Sequence, residues 1–502
     1  MNGRLTTSLE VEKKIIELQK LLKLSTKASV MRIAIGLSLK SKTDPRIDYP
    51  EKDNDHGGAT YQRTTITGEY DELYRALMIE QIQVKIKDNE LFPELYNSHI
   101  SRGVELLYDE YQLRGSYDKV LDSMFRLMWG DSMLYLDNSA TTKVLKEVYD
   151  EMIPYISEYY GNPNSKYYEQ ALIADDAVGI ARNRVAQFLN CQDDEIVFTS
   201  GSTESNNFFL KGYCHANKEK GKHIIVSSIE HSCIMNTAKF LEGEGYKVTY
   251  LPVNRDGIVD IKDLRKSIQK DTVLVSVMWA NNELGSMNDI KKLSEECHKH
   301  GIAFHTDATQ VAGKFRIDLQ EYDSIDFLSL SGHKFYGPKG IGIAFIRKDE
   351  NGMYPKITPL LHGGEQEFGF RSGTLAVHQI VGIGKAAEIA LHDLDENIKK
   401  LKKYEKELIA KLKQTFGDKI VINNDFACKI PGLVSARIVG YNNQLFLKNA
   451  ANILSASTGS ACSNAKPSYV LKACGYSEEE IRETIRFSLS AYGNYNHFEE
   501  IQ

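Results

Sequence analysis

The sequence predicts an α/β domain on a mostly parallel sheet, preceded by a mainly helical region and completed by a smaller α+β part. Three observations lead there. From about residue 170 to 390, short β-rich runs alternate with helical patterns, and such alternation builds crossover units on a parallel sheet. Before residue 130, apolar residues recur at spacings of three and four, the period of a helix with one buried face. After Ala386, the charged segment Asp395 to Gln414 reads as an amphipathic helix whose lysines form a solvated face.

Taken in order, the N-terminal helices are expected at Leu9 to Leu24, Lys27 to Leu39, Glu69 to Asp88 and Glu94 to Tyr111. The polar segment Lys42 to Gly68 between the second and third reads as a long loop or a short hairpin. Strands are expected at Ile196 to Phe198, His223 to Ser227, Lys247 to Leu251, Thr272 to Met278, Ile302 to His305, Ile325 to Leu330 and Ile341 to Ile346. Helices such as His231 to Glu242 and Ile290 to His300 lie between them. Ligands of such sheets sit at the carboxyl ends of the strands.

Composition excludes several classes. A chain of 502 residues is too long for one ordinary domain. The net charge of -6 carries no global nucleic-acid signal. Seven cysteines without a C-x-x-C pair argue against a disulfide framework and a zinc knuckle, so no metal ligands are assigned. The longest apolar runs, such as Thr272 to Ala280, are too short to span a bilayer, and Met1-Asn2-Gly3-Arg4 is no secretory signal. A reducing cytoplasm is the expected compartment.

Ser331-Gly332-His333-Lys334 closes the apolar run Ile325 to Leu330. A lysine at a strand end, beside a Ser and a His that can hold an anion, is placed to form a Schiff base with pyridoxal phosphate. That cofactor also needs a carboxylate for its pyridinium nitrogen and a donor near its phenolic oxygen. Asp307, at the end of an apolar strand, and Gln310 just beyond it fit those needs. Upstream, Glu195 to Ser200 is followed by Gly201-Ser202-Thr203-Glu204-Ser205-Asn206-Asn207, a strand, a small-residue turn and a helix start. Backbone N–H groups in such a turn can cradle a phosphate.

These segments resemble the cysteine desulfurase family. The resemblance extends through Tyr135-Leu136-Asp137-Asn138-Ser139-Ala140-Thr141-Thr142, Gly161 to Ser165, Glu230-His231, Asn281 to Gly285, Arg371-Ser372-Gly373-Thr374 and Thr458 to Ser463, covering residues 133 to about 495 in family order. It implies the aminotransferase-like fold of pyridoxal-phosphate enzymes known as fold type I, with a large domain at about 146–390 and a small domain formed by 133–145 and 391–502. It further implies that Lys334 bonds the cofactor and moves the α-proton of the substrate. His231 would stack on the pyridine ring and shuttle protons. Ser202, Thr203, Ser331 and His333 would hold the phosphate, joined by Thr374 from a neighbouring subunit, which implies a homodimer. Asn282 and Arg486 would hold the substrate carboxylate, a task suited to a guanidinium. The chain ends soon after Ile485-Arg486-Phe487-Ser488-Leu489, where similar enzymes usually continue through another helix, so the small domain's last element is left unassigned.

Cys462 decides the reaction type implied. Its neighbourhood, Ser455 to Ser463, is small and polar without apolar periodicity and reads as a mobile loop. A nucleophilic thiolate needs such exposure and reach. Cys191, Cys214, Cys233, Cys297, Cys428 and Cys474 are read as buried small hydrophobes. The family chemistry then has the Cys462 thiolate attack the γ-sulfur of free L-cysteine, giving L-alanine and a Cys462 persulfide.

Residues 1 to about 130 precede the family's own start near Met133 and contain no Cys. Ser8-Leu9-Glu10, Ser25 to Ser38, Gly68 to Leu77 and His99 to Leu107 resemble DndE, the small helical component of bacterial DNA phosphorothioation, a system with its own desulfurase, DndA. The resemblance gives a DndE-like domain at 1–125, a linker at 126–132 and a desulfurase at 133–502. Lys13, Lys14, Lys20, Lys23, Lys27, Arg32, Lys40 and Lys42 are opposed within their span only by Glu17. A charge run on helices is ordinarily a solvated face; the alternative is a phosphate-backbone surface with salt-dependent binding. The DndE family is associated with oligomers and nicked DNA, which makes DNA an expected partner beside a sulfur-acceptor protein.

The reading is therefore a desulfurase serving DNA phosphorothioation. One rival is a desulfurase for iron–sulfur assembly or tRNA thiolation with an N-terminal docking module. Another is a DNA-binding scaffold whose desulfurase part is inert. Selenocysteine lyase or aminotransferase-like activity is disfavoured by the Cys462 loop.

Overall fold

The computed structural model describes residues 4–41, 43–50, 57–82, 91–115, 134–451, 453–459 and 467–495 of the chain. It divides into two compact units, Met1–Met133 and Leu134–Gln502. The expected linker 126–132, residues 83–88 of the third N-terminal helix, Lys42 and Cys462 lie outside the described residues.

In the first unit β1 (Arg4–Thr6) is followed by α1 (Leu9–Leu21), α2 (Lys27–Leu39), α3 (Pro45–Asp48), β2 (Thr60–Gln62), α4 (Arg63–Thr67), α5 (Asp71–Ile82) and α6 (Leu91–Arg114). Ser8 and Thr26 cap α1 and α2 by accepting the amides of Val11 and Ser29. α1 ends before the expected Leu24 because Lys23 adopts a left-handed conformation, φ 50°. Ile15, Leu18, Met31, Ile35, Tyr96 and Leu107 fill the core. At Gly103, α6 passes so close to α2 that a Cβ would lie 1.8 Å from the Ala34 carbonyl oxygen. The segment expected as a loop or hairpin holds α3, β2 and α4, and β2 pairs antiparallel with β1 rather than within the segment. Three-residue strands are too short for alternation to register in sequence.

The positive bias is smaller in space than in sequence. Lys14 Nζ meets Glu105 at 2.6 Å and Glu10 at 3.0 Å, and Lys27 meets Glu12 at 2.6 Å. Arg32 donates to the Ile66 carbonyl at 2.6 Å. Glu17 is the only acidic residue within the span, and these further partners come from outside it. Lys13, Lys20, Lys23 and Lys40 remain exposed.

The second unit is built on a seven-stranded sheet. Its strands are β4 (Ile196–Thr199), β5 (His223–Ser227), β6 (Lys247–Leu251), β7 (Thr272–Ser276), β8 (Ala303–Asp307), β9 (Phe327–Ser331) and β10 (Gly342–Ile346), in the order β4-β10-β9-β8-β7-β5-β6. Only β10 runs against its neighbours. Along β5, Ile225 joins one core while Ile224 and Val226 join another, the period-2 signature of a strand covered on both faces. Helices supply the cover: Ile290–Lys299 turns Ile290, Leu293 and Cys297 inward, and Ser232–Gly243 buries Ile234, Ala238 and Leu241.

A smaller antiparallel sheet of β11 (Ile420–Ile422), β12 (Leu433–Ile438) and β14 (Thr484–Ser488) packs against the helix Leu394–Phe416 through Leu401, Leu408 and Leu412. β3 (Leu134–Tyr135) pairs in parallel with β13 (Leu454–Ser455), and Asp137 bridges to Ser488. The segment after residue 133 therefore completes this layer and then runs toward the large sheet. Among the described residues, no helix is long and apolar enough to cross a membrane.

Candidate active site

The carboxyl ends of β4, β8 and β9 open onto a cleft of about 500 Å³, within the range that holds cofactors, about 300–1,000 Å³. β9 ends at Ser331, and one tight turn, Gly332–Lys334, delivers the lysine. Its Nζ donates to the carbonyls of Ser139 and Ala140, both at 2.7 Å. The same strap holds the turn from outside. Thr142 donates through its N–H (2.9 Å) and Oγ1 (3.1 Å) to the His333 carbonyl, and Oγ1 accepts the Tyr336 amide at 2.8 Å.

Asp307 closes β8 and is buried at 5% exposure. Its Oδ2 accepts from Asn206 at 2.7 Å and its Oδ1 from the Thr309 amide at 3.0 Å. Gln310 donates to the Ser139 carbonyl at 3.1 Å. After β4, Gly201 adopts φ 152°, and the helix Ser202–Asn207 begins. A Cβ on Gly342 would lie 2.5 Å from the Gly201 Cα, so β10 needs a glycine there for the turn to pass. Ser202, Thr203, Ser331 and His333 all line the cleft. Burial, aided by Lys334 and Lys339, pushes His333 down to about 4, which leaves it neutral at physiological pH.

His231 caps the helix Ser232–Gly243 and lines the same cleft. Burial lowers its pKa, with Lys334 adding to that and Asp307 opposing it. Asn282 and Arg486 stand at the other end. Arg486, 2% exposed on β14, binds Asp137 at 2.6 Å and the carbonyls of Asn282 and Gly459 at 2.9 Å. Its Nε is buried with no hydrogen-bond partner among the described residues. Thr374 is exposed and does not line this cleft.

Residues without an assigned role in the sequence reading also belong to the site. Asn206 lay in the turn motif, but nothing local marks it as the partner of Asp307. Glu230, fully buried, accepts from Ser227 and the Met278 amide, and burial raises it to about 8. Glu283 lines the cleft, accepts from Ser468, and is raised by burial to about 7. The expectation of six buried cysteines is corrected: Cys214, Cys297 and Cys474 are buried, Cys191 and Cys233 partly so, and Cys428 is exposed. Cys428 sits between Ala427 and Lys429 outside any helix or strand, where no core is available to cover it.

The donor set fits pyridoxal phosphate. An amine, a buried carboxylate and a cluster of hydroxyls converge on one cleft, and Ser139 Oγ, Thr309 Oγ1 and Gln310 Oε1 are buried there without a hydrogen-bond partner among the described residues. Such orphaned atoms cost free energy unless a ligand satisfies them.

Comparison with known proteins agrees. Residues 134–502 match the class-V aminotransferase family, and residues 4–115 match the DNA sulphur modification protein DndE. The cysteine desulfurase IscS of Methanosarcina thermophila is 45% identical over 372 residues, 73% of this chain and 89% of the relative. The structure of SspA in complex with cysteine aligns with a TM-score of 0.63 at 36% identity, over 72% of this chain and 100% of that one. DndA from Streptomyces lividans aligns with a TM-score of 0.61 at 31% identity, over 71% of this chain and 99% of that one. The chain belongs to the class-V aminotransferase family, with the fold type I architecture, as a pyridoxal-phosphate-dependent cysteine desulfurase carrying a DndE-like N-terminal region.

Proposed function

We propose that the chain takes sulfur from L-cysteine, releases L-alanine and leaves a persulfide on Cys462, and that this sulfur serves DNA phosphorothioate modification. The observation that carries the pathway is the union in one chain of a DndE-like region and a desulfurase whose fold aligns with DndA. We assign 1–125 to the DndE-like domain and 133–502 to the desulfurase, with 126–132 between them.

When bound, pyridoxal phosphate supplies an electron sink for bond changes at the substrate's α- and β-carbons. Lys334 Nζ takes and returns the α-proton. Asp307 would pair with the ring nitrogen, Gln310 would serve the phenolic oxygen, and His231 would act as the proton carrier of the cleft. Ser202, Thr203, Ser331 and His333 would hold the phosphate, with Thr374 contributed by a second protomer. Asn282 and Arg486 hold the substrate carboxylate, and the unpartnered Arg486 Nε supports this by leaving a donor for it. The Cys462 thiolate attacks the substrate's sulfur. The S–S bond forms as the C–S bond breaks, and the β-carbon gains a proton to become the methyl of alanine.

Exposed apolar residues on the helices Lys146–Met152, Pro154–Ser157 and Glu169–Leu189, among them Tyr149, Ile156, Leu172 and Ile180, support a homodimer. Sedimentation of the full chain tests that. DNA contact through Lys13, Lys20, Lys23 and Lys40 is tested by gel shifts with nicked and intact duplex; no binding at low salt removes DNA from the partners. The acceptor that takes sulfur from Cys462 separates phosphorothioation from iron–sulfur assembly or tRNA thiolation.

A further inference from the structure

One wall of the cleft contains a hydrogen-bonded chain for which the desulfurase motifs supply no role. The Asn206 amide has two hydrogens, and both are used: Nδ2 lies 2.7 Å from Asp307 Oδ2 and 3.2 Å from Cys233 Sγ. Cys233 Sγ lies 3.0 Å from His231 Nδ1, and the Cys233 backbone amide approaches the same nitrogen at 3.3 Å. A backbone N–H can only donate, so Nδ1 is the acceptor and the neutral ring carries its proton on Nε2. With Sγ accepting from Asn206 and from the Thr203 hydroxyl, the thiol hydrogen is left for Nδ1. The thiol keeps that hydrogen, because burial pushes Cys233 up to about 12.

We propose that Cys233 is a positioning residue, which with Asn206 links the carboxylate of Asp307 to His231 and, beside its own backbone amide, holds a second donor on Nδ1 that keeps the imidazole singly protonated. The inference rests on the reading of His231 as the proton carrier of the cleft. Its consequence is directional. A ring whose Nδ1 is occupied by donors gives a proton from Nε2 and resists becoming doubly protonated, because gaining a proton at Nδ1 breaks both bonds. Asp307 and Lys334 face His231 with opposite charges, and Glu230 beside it is raised to about 8 by burial. Cys233 adds a neutral donor to this balance and favours the uncharged ring.

The test uses full-length holoenzyme labelled with ¹⁵N-histidine, the His231 signal being identified by its loss in His231→Gln. The wild type should show the Nε2–H tautomer. Cys233→Ala keeps the backbone donor, and with it the tautomer, but should raise the His231 pKa by about half a unit, the size of effect a neutral hydrogen bond confers. Cys233→Ser should restore wild-type behaviour, since a hydroxyl can accept from Asn206 and donate to Nδ1. Cys233→Val, which keeps the volume and lacks the donor, repeats the test should the alanine variant fail to fold. An unchanged His231 pKa in the donor-less variants, or a serine variant that behaves like them, overturns the proposal. Alanine release by the wild type is measured alongside; its absence refutes the desulfurase reading without bearing on the tautomer.

Discussion

The Nζ of Lys334 lies 2.7 Å from the carbonyl oxygen of Ser139, a residue 195 positions earlier in the chain. The lysine's position is thus set by two sequence-distant segments, the turn after β9 and the strap that follows β3. Lys334→Ala should abolish the visible absorbance of bound cofactor and lower alanine release on the order of 10³-fold or more. Absorbance and single-turnover alanine assays check it.

The strap itself can be probed without touching the lysine. Thr142 is buried, and Thr142→Val keeps its shape while leaving the Tyr336 amide without its acceptor. The expected cost is about 1–3 kcal/mol of stability, with weaker cofactor retention. Urea unfolding and a cofactor-release assay measure the two effects.

In the first unit, Gly103→Ala would drive a methyl group into the Ala34 backbone, which cannot yield as a flexible side chain does. Overpacking of this kind costs about 1–3 kcal/mol. Calorimetry should show the N-terminal transition lowered, with the alanine-release rate of the desulfurase unit unchanged.

His99 in the first unit and Glu230 in the second should make opposite contributions to stability as pH changes. His99 is pushed down to about 3 by burial and Arg102, so in the folded state it stays neutral where the unfolded chain would protonate. Its contribution is present above about pH 6.5, the unfolded value, and is lost as pH falls toward 3. Glu230 is raised to about 8 by burial, so its contribution is full below the unfolded value of 4.5 and is lost as pH rises through 8. Denaturation of the second unit between pH 5 and 8 should show Glu230→Gln gaining stability relative to the wild type as pH rises.

Much of this architecture was legible in the sequence. The fully buried strands read as apolar runs, and β5 matches its expected limits because both faces demand apolar residues; β6, a partly exposed edge strand, matches its limits as well. The cleft residues Lys334, Asp307 and Ser202 stand at strand ends, where composition changes abruptly. Long-range partnerships were not legible. Glu105 lies 91 residues from Lys14, and no local pattern announces that it neutralises part of the basic run. The pairing of β1 with β2 and the contact of Arg486 with Asp137 likewise exist only after the chain has folded. The contacts of Cys233 with Asn206 and His231 were equally invisible, because a thiol two residues into a helix looks like any other small buried side chain.

The central claim is that sulfur passes from cysteine to Cys462. Mass spectrometry of the protein after brief incubation with L-cysteine should find one added sulfur on the peptide containing Cys462, with alanine released in equal amount. In Cys462→Ser, the adduct should vanish and sulfide release should collapse. Sulfide release at the normal rate from Cys462→Ser would contradict the account.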